Sequence, residues 1–350
     1  MLGVRGANRL RGWGGLLAAV LMLAAACSGE TQTTASGGGD EEASFEGETI
    51  TFVVSFAPGG GYDTIARAFA PYLEEELGAT VVVENEDGAG GLLAASQIYA
   101  AEPDGLTIGI FAGQGIAGAA MAEAEGVQFE LAEYSYVTRL AAELRVLVAT
   151  PNSEYQAIED VRDGQGVNFA SAGTGAADNM DATVLYPVLG IDGRIVTGFD
   201  GSEETALAVT SGDVAVGSGT VSSRLAAIKS GDLHPVLVIG DQESPDLPDV
   251  PVLTDLELDD ESRALAEAHL SLQDMGRMVW APPGVPEDRL QALEDAFKAA
   301  SENPDLIQEL AQAEQEIEFT PGAEAKTVAE DVLDAPDEYV TLIKEAFEGQ

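Results

Sequence analysis

A glycine-rich loop between a strand-like run and a helical pattern is the part of this sequence best suited to binding chemistry. Residues 58–63 read Pro-Gly-Gly-Gly-Tyr-Asp, after an apolar run at 50–54 and before a helical pattern that begins near Thr64. Glycine has no Cβ, so the main-chain N–H groups of such a loop can reach a bound anion directly. The helix behind the loop adds the positive end of its dipole. The loop is therefore predicted to bind a carboxylate, with an ordinary glycine-rich turn as the alternative.

Asp63 needs a separate interpretation, because a carboxylate beside an anion site would repel the ligand. We predict that Asp63 is the N-cap of the following helix and that Arg67, four residues later, is its ion-pair partner.

Length and charge narrow the classes of protein that this chain can represent. Its 350 residues suit two lobes, each with its own core. Sixteen basic residues against 61 acidic ones give a formal net charge of −45, which argues against nucleic acid or an anionic lipid surface as a partner. The acids are interpreted as a solvated surface, and we hypothesise that it suits a saline habitat, where charge repulsion is screened.

The N-terminus has the pattern of an export signal with a lipid-attachment site. Arg5, Arg9 and Arg11 precede an apolar run at 16–26, and Cys27, the only cysteine, follows at the expected junction. We predict a signal peptide at 1–26, lipidation of Cys27, and a flexible lipid-anchored tether at 27–47. The protein would then be extracytoplasmic and held at the outer face of the cell membrane or in the periplasm. A plain signal peptide with a coincidental cysteine is the alternative.

Strand-like and helical patterns alternate after the tether, which is typical of an α/β fold with parallel strands. The first series has strands at 50–54, 80–84 and 107–111 and helices at 64–77 and 92–101. A second series runs from 146 to 239 and ends in a strand at 234–239. A helix from 260, a strand at 278–281 and an amphipathic set at 286–347 follow.

Residues suited to catalysis are few. The chain has two histidines, His234 and His269, both interpreted as packing or surface residues, and it lacks a nucleophile elbow, a phosphate-loop lysine pattern and a calcium-loop spacing. We therefore predict a protein that is not an enzyme and that has no cofactor and no metal site. Residues 113–118 match the dinucleotide-binding glycine pattern, but chance explains one match in a chain with 40 glycines. An exported nucleotide-binding oxidoreductase is kept as a minor alternative.

Arg139 and Arg145 flank the expected passage between the lobes and could reach a carboxylate. We interpret them as neutralising surface charges, and neither is included in the predicted site.

Six motifs together resemble one known family. They lie at 56–63, 83–91, 103–105, 169–175, 247–251 and 281–286. From about Glu48 to the C-terminus the chain resembles the extracytoplasmic solute-binding proteins of the tripartite tricarboxylate transporter, the Bug-type receptor family. The resemblance implies a two-lobed periplasmic-binding (Venus-flytrap) fold with mostly parallel sheets flanked by helices. It further implies that backbone amides from both lobes hold a small organic acid in the cleft, and that the receptor delivers this acid to a membrane permease.

The resemblance also places the lobes and the site on this sequence. Lobe 1 is 48–145 plus 242–350 and lobe 2 is 146–241, with hinges near 144–150 and 238–241, and we expect a monomer. The first-lobe contacts are Ala57, Pro58, Gly59, Gly60, Gly61, Tyr62, Asp63 and Thr64, with Gly113 and Gln114 after the third strand. The second-lobe contacts are Ser171, Ala172, Gly173, Thr174, Gly175, Asn179, Gly201, Ser202, Gly217 and Ser218. Many family members carry a histidine about where this chain has Asn179, and Asp178 beside it adds negative charge. Presentation of the ligand-bound form to a sensor kinase is the alternative function.

Overall fold

The computed structural model describes residues 45–142, 144–173, 175–199, 201–313 and 315–348. The predicted signal peptide, Cys27 and the tether up to residue 44 lie outside these residues. In this part of the chain, no helix is both long enough and apolar enough to cross a membrane.

Strands and helices alternate through most of the described chain. The strands are β1 (Thr49–Val54), β2 (Thr80–Asn85), β3 (Thr107–Ala112), β4 (Ser135–Ala141), β5 (Arg145–Ala149), β6 (Gln165–Ala170), β7 (Asp192–Val196), β8 (Val216–Thr220), β9 (His234–Ile239), β10 (Arg277–Ala281) and β11 (Thr320–Pro321). The helices are α1 (Gly61–Leu77), α2 (Leu92–Tyr99), α3 (Gly113–Met121), α4 (Ile158–Asp163), α5 (Ala177–Leu189), α6 (Ser202–Ser211), α7 (Val221–Ser230), α8 (Asp260–Asp274), α9 (Glu287–Ser301), α10 (Pro304–Gln312), α11 (Gly322–Leu333) and α12 (Asp337–Glu348).

The described strands form two separate sheets, one for each lobe. The first sheet has the order β11-β4-β10-β3-β1-β2 and the second has the order β7-β6-β8-β5-β9. The predicted two-lobed α/β fold is therefore confirmed. Both sheets are mixed, however, because β10 is antiparallel to β3 and β4, and β5 is antiparallel to β8 and β9. These two strands are the first after each passage of the chain between the sheets, and each runs antiparallel to its neighbours.

The chain first passes between the sheets after β4 ends at Ala141 and before β5 begins at Arg145. After β9 it stays with the second sheet for some residues, because Val238 pairs with Val252, and Leu247 and Val252 pack in that sheet's core. The lobe boundaries at 145/146 and 241/242 stay predictions.

One hydrophobic core extends from the first sheet to the second. In β10, the buried Trp280 stacks on Phe111 and Tyr134, with ring centroids 4.7 and 5.0 Å apart. The same cluster includes Met180 of α5 and Ile343 of α12. Each large apolar side chain buried in this way contributes about 1.5–3 kcal/mol. Helices α5, α8 and α12 thus connect the sheets through packed side chains as well as through the chain itself.

Candidate functional site

The first-lobe glycine loop is exposed and leads directly into α1. The described chain places Gly60 at the N-cap, with an extended backbone, and the helix begins at Gly61. Asp63 is therefore the third residue of the helix, so the predicted N-cap role of Asp63 is wrong. Its carboxylate reaches back instead and accepts a hydrogen bond from the Gly59 N–H at 2.8 Å. The predicted pairing with Arg67 is confirmed, at 2.9 Å.

Asp63 is also buried, and its charge has partners within the protein. Burial raises its pKa, but hydrogen bonds from Arg67, Gly59 and Asn85 outweigh that effect and lower the pKa below its ordinary value. The charge of the carboxylate is thus neutralised within the loop. One consequence is that the Gly59 N–H is already used by the protein.

In the second-lobe loop, every described N–H group from 171 to 175 donates within the protein. The Ser171 N–H donates to the Val196 carbonyl, and the Ala172 N–H donates to the Asp178 carboxylate at 3.1 and 3.2 Å. The Gly173 N–H donates to Ser171 Oγ. Thr174 lies outside the described residues. The resemblance implied that these amides bind the ligand. In this structure the described N–H groups of the loop already donate to other groups of the protein.

Gly175 is hydrogen-bonded to the C-terminal helix, α12. Its N–H donates to the Ala346 carbonyl at 3.3 Å, and its φ of +74° favours glycine. A Cβ at this position would lie 2.8 Å from the Phe347 ring. Gly175 is thus required for the close approach of α12 to the second-lobe loop.

Several other predicted contacts are used in packing. Gly113 N–H donates to the Gly276 carbonyl at 2.7 Å, and a Cβ on Gly113 would lie 2.7 Å from the Met275 carbonyl oxygen. The Gly113 N–H is thus already used by the protein and is not available to a phosphate. Gly217 lies within β8, where it pairs with Val148.

Four further predicted contacts lie in the second lobe. Gly201 and Ser202 begin α6, and the Ser202 carbonyl accepts a hydrogen bond from the buried Arg224. Asn179 is 7% exposed in the first turn of α5, and Ser218 is 1% exposed in β8. None of these four lines the interlobe cavity described next.

A cavity of about 230 Å³ lies between the lobes and brings together part of the predicted site. Three of the predicted contacts line it, namely Tyr62, Gln114 and Gly175. The described lining residues that sequence reasoning missed are Phe56, Gly90, Ala112, Gly115, Arg145, Ala176, Ala177, Gln273 and Gly276.

Three helices begin at the wall of this cavity. Tyr62 is in the first turn of α1, Gln114 and Gly115 are in the first turn of α3, and Ala176 and Ala177 begin α5. The first N–H groups of a helix lack intrahelical partners and carry partial positive charge. Each helix start therefore brings partial positive charge to the cavity wall, and the first turns of α1 and α5 also contain the carboxylates of Asp63 and Asp178.

Arg145 is the one charged residue among the described residues that line the cavity. It is 6% exposed, so the sequence-based interpretation of Arg145 as a surface charge is wrong. Its partners include Asp181 and Ser218, which are 36 and 73 residues away in sequence, and no local pattern reveals these two. The described lining thus carries one cation, which is paired with the buried Asp181 behind it, and no acid.

Asp181 is the centre of the buried polar network behind Arg145. One carboxylate oxygen accepts from Arg145 Nε at 2.7 Å and from the Ser218 hydroxyl. The other oxygen lies 3.0 Å from His269 Nε2 and 3.2 Å from Gln273 Nε2. Burial raises the pKa of Asp181, but the Arg145 charge and the hydrogen bonds from His269 and Ser218 lower it overall, to about 2. Asp181 is therefore ionised at neutral pH.

A second, wider depression has charged lining residues that are mainly acidic. This groove, of about 940 Å³, lies beside the passages between the sheets and shares Gln273 with the cavity. Asp241, Asp246 and Asp274 line it, together with Arg277 and Lys229. Its acidic lining makes it a poorer place for an anion than the cavity. In the described chain, no group of three histidine, cysteine, aspartate or glutamate side chains could hold a metal ion.

Comparison with known proteins gives the family. The family model described as "Tripartite tricarboxylate transporter family receptor" matches residues 65–344. The chain belongs to this receptor family. A UPF0065 protein of Bordetella pertussis is 26% identical over 274 residues, which cover 76% of this chain and 80% of the relative. The resemblance of the sequence motifs to this family is thus confirmed.

Solved structures agree with this assignment. The chain superposes with a TM-score of 0.62 on "MatC from Rhodopseudomonas palustris with bound malate", at 25% identity, covering 85% of this chain and 99% of that one. A TctC solute-binding protein from Polaromonas gives a TM-score of 0.69 at 19% identity, covering 85% and 98%, and shows the shared fold. The receptor's relatives are solute-binding proteins and not enzymes, as expected.

The pair formed by Asp181 and Arg145 gives a testable dependence of stability on pH. Because the pKa of Asp181 is about 2 in the folded protein and 3.8 is its ordinary value, its ionised form stabilises the fold above about pH 4. This contribution is lost as the pH falls towards 2. Asp181→Asn leaves Arg145 without its anion and should lower the free energy of unfolding by about 3–5 kcal/mol at pH 7.

Denaturant unfolding of the wild type and of Asp181→Asn from pH 7 to pH 2 checks this prediction. The gap in free energy of unfolding should be constant above pH 5 and should narrow below pH 4. Asp249→Asn, which removes an exposed carboxylate from the segment that follows β9, is the control and should change stability little. A gap that stays the same down to pH 2 would contradict the network as described.

Proposed function

We propose that this protein is an extracytoplasmic receptor that captures a small carboxylate-bearing ligand in the interlobe cavity and delivers it to the permease of a tripartite tricarboxylate transporter. The observation that carries the proposal is the lining of the cavity, where three helices begin and where Arg145 is the one charge among the described residues. Family membership and the malate bound to the relative from Rhodopseudomonas palustris support it.

The dimensions of the cavity favour a small solute. Pockets for drug-sized ligands occupy about 300–1,000 Å³, whereas this cavity has about 230 Å³. Its described walls carry the aromatic rings of Phe56 and Tyr62, whose centroids are 4.6 Å apart, and several glycine and alanine residues. A short organic acid would place its carboxylates at the helix starts and its carbon chain against the rings.

Capture would involve motion of the two lobes. Tyr62 and Gln114 belong to elements of the first sheet's lobe, and Ala176 and Ala177 begin a helix that follows a strand of the second sheet. A ligand that contacts both lobes stabilises the closed arrangement relative to the open one. We place the hinges near residues 144–150 and 238–241, and we propose that the receptor acts as a monomer that presents its closed form to the permease.

The groups proposed to donate to the ligand differ from the loop amides that the family resemblance implied. Gly59 and the described residues of the second-lobe loop use their N–H groups within the protein, so the starts of α1, α3 and α5 and the Arg145 side chain are the better candidates. We propose that these groups hold the ligand, with Tyr62 and Gln114 as the contacts foreseen from sequence. The remaining predicted contacts would support the loops that shape the cavity.

We expect the receptor to bind organic acids and to ignore their uncharged amides. In a thermal-shift screen, an acid present at 100 times its dissociation constant should stabilise the fold by about 2.7 kcal/mol. Malate and the corresponding diamide make a matched pair, because they differ in charge and hardly in shape. Stabilisation by the diamide equal to that by malate would contradict an anion site.

The same ligand should bind equally well or better as salt is added. The net charge of −45 repels an anion at long range, and salt screens this repulsion, whereas contacts inside the closed cavity are screened much less. Titration calorimetry with malate between 0.1 and 1 M sodium chloride measures the effect. Marked weakening at high salt would mean that the surface, and not the cavity, determines binding.

We also propose that Cys27 carries the lipid that anchors the receptor to the membrane, with the signal peptide at 1–26 removed and the following residues as the tether. Cells fed a labelled fatty acid should attach the label to the wild type and not to Cys27→Ala, and the variant should leave the membrane fraction. An unlabelled wild-type protein would show a plain signal peptide instead.

A further inference from the structure

The groove of about 940 Å³ has walls from both lobes. Leu225 lies on α7, which follows a strand of the second sheet, and Ile307 lies on α10, which precedes a strand of the first sheet. Leu144 and residues 239–241, which belong to the proposed hinges, line the groove between these helices. A rotation of the lobes about the hinges would therefore change the width of the groove.

Exposed apolar and acidic side chains occur together in this groove. Ile307 is 47% exposed and is one of five large apolar side chains that are exposed in the described part of the chain. The half-buried Leu225 and Ile317 also line the groove. Its acidic lining residues are all exposed, and they are Asp241, Asp246, Asp274, Glu316 and Glu318. An apolar surface with a polar rim is typical of a protein-binding site.

The two basic residues of the described lining already have partners within the protein. Lys229 Nζ lies 3.1 Å from the Asp246 carboxylate. The Arg277 guanidinium lies 5.5 Å from the centre of the Tyr62 ring. Carboxylates exceed cations in the described lining by three, so the groove attracts positive charge.

This charge distinguishes between possible occupants of the groove. A second copy of the chain, with its own net charge of −45, would be repelled, and so would an anionic lipid surface or a small organic acid. A protein segment that carries lysine or arginine beside apolar side chains would complement both the carboxylates and the apolar wall.

The groove is also in direct contact with the interlobe cavity. Gln273 lines both of them, and Arg277 of the groove lies over the ring of Tyr62, which lines the cavity. A ligand that moves Tyr62, Gln273 or the lobes would therefore alter the groove. Two partners that favour the same arrangement of the lobes must increase each other's affinity by the same factor.

Resting on the proposed function, we propose that this groove is the surface on which the permease docks, and that it takes a permease segment with basic and apolar side chains. Because the groove has walls from both lobes, its fit to that segment depends on whether the lobes are closed. The permease thus distinguishes a loaded receptor from an empty one without contacting the ligand.

Binding of the full receptor to the purified permease of its own transporter, held in lipid nanodiscs, tests this proposal. Ile307→Ser removes the exposed apolar contact, and the double variant Glu316→Lys with Glu318→Lys reverses the charge of one wall. Each should raise the dissociation constant for the permease about tenfold or more, as measured by biolayer interferometry with and without a bound acid. The acid that stabilises the receptor most in the thermal-shift screen should tighten permease binding of the wild type.

Matched controls change the same kinds of side chain outside the groove. Leu207→Ser alters an apolar residue of α6 that is 64% exposed, and Glu309→Lys reverses an exposed charge of α10 that does not line the groove. Both should bind the permease within about twofold of the wild type. Titration calorimetry without the permease should give the same affinity for the acid in all variants, because none of the changed residues lines the cavity.

Circular dichroism and thermal melting confirm that each variant is folded, and either groove variant carries the test if the other is not. Wild-type affinity of the folded groove variants for the permease, or no binding of the permease to the wild-type receptor, would overturn the docking surface and leave the acid receptor intact. Equal weakening in the control variants would also overturn it, as would self-association of the receptor that Ile307→Ser abolishes. Absence of binding by every acid in the screen would instead overturn the proposed function.

Discussion

The placement of one arginine inside the protein is the constraint on which the site depends. A buried charge is costly unless an opposite charge and hydrogen bonds compensate it, and Asp181, 0% exposed, supplies that compensation to Arg145. Asp181 is in turn held by Ser218 of β8 and by His269 and Gln273 of α8. The network therefore joins elements of the second sheet to α8, which packs between the lobes. A positive group at the cavity wall thus requires polar residues from several parts of the chain.

Hydrogen bonds within the protein limit which groups of the glycine loops are available to a ligand. The glycine loops shape the cavity, but several of their N–H groups are satisfied by Asp63, Asp178 and Ala346. What remains for a ligand is the start of three helices and a few side chains. In the proposed function an anion can still bind to so acidic a protein, because fixed dipoles and one shielded arginine act at contact distance while the surface charges act over a distance that salt limits.

Much of the fold was predictable from the sequence, because it follows local patterns. The predicted strand at 234–239 agrees with β9, and the predicted strands at 50–54 and 80–84 differ from β1 and β2 by one residue at one end. The prediction missed α3, since its two internal glycines, Gly115 and Gly118, are poor helix formers. A Cβ on Gly118 would lie 2.9 Å from the Met180 sulfur of α5, so α3 and α5 pack closely there. The mixed character of the sheets was not predictable, because it depends on how β5 and β10 enter after each passage between the lobes.

The site was less predictable than the fold. Tyr62 and Gln114, which line the cavity, were predicted because each follows a strand end in a glycine-rich segment. Arg145 was missed because its partner Asp181 lies in a helix that begins more than 30 residues later. Local sequence shows which residue types are present, but only the packing of distant elements shows which charge is buried and which is exposed.

The most direct test of the account is a crystal structure of the receptor with malate. We expect the ligand in the interlobe cavity, with one carboxylate within hydrogen-bond distance of Arg145 and another part of the ligand at the starts of α1, α3 or α5. A ligand that binds in the acidic groove, or one that occupies the cavity without contacting Arg145 or any of these helix starts, would contradict the central claim.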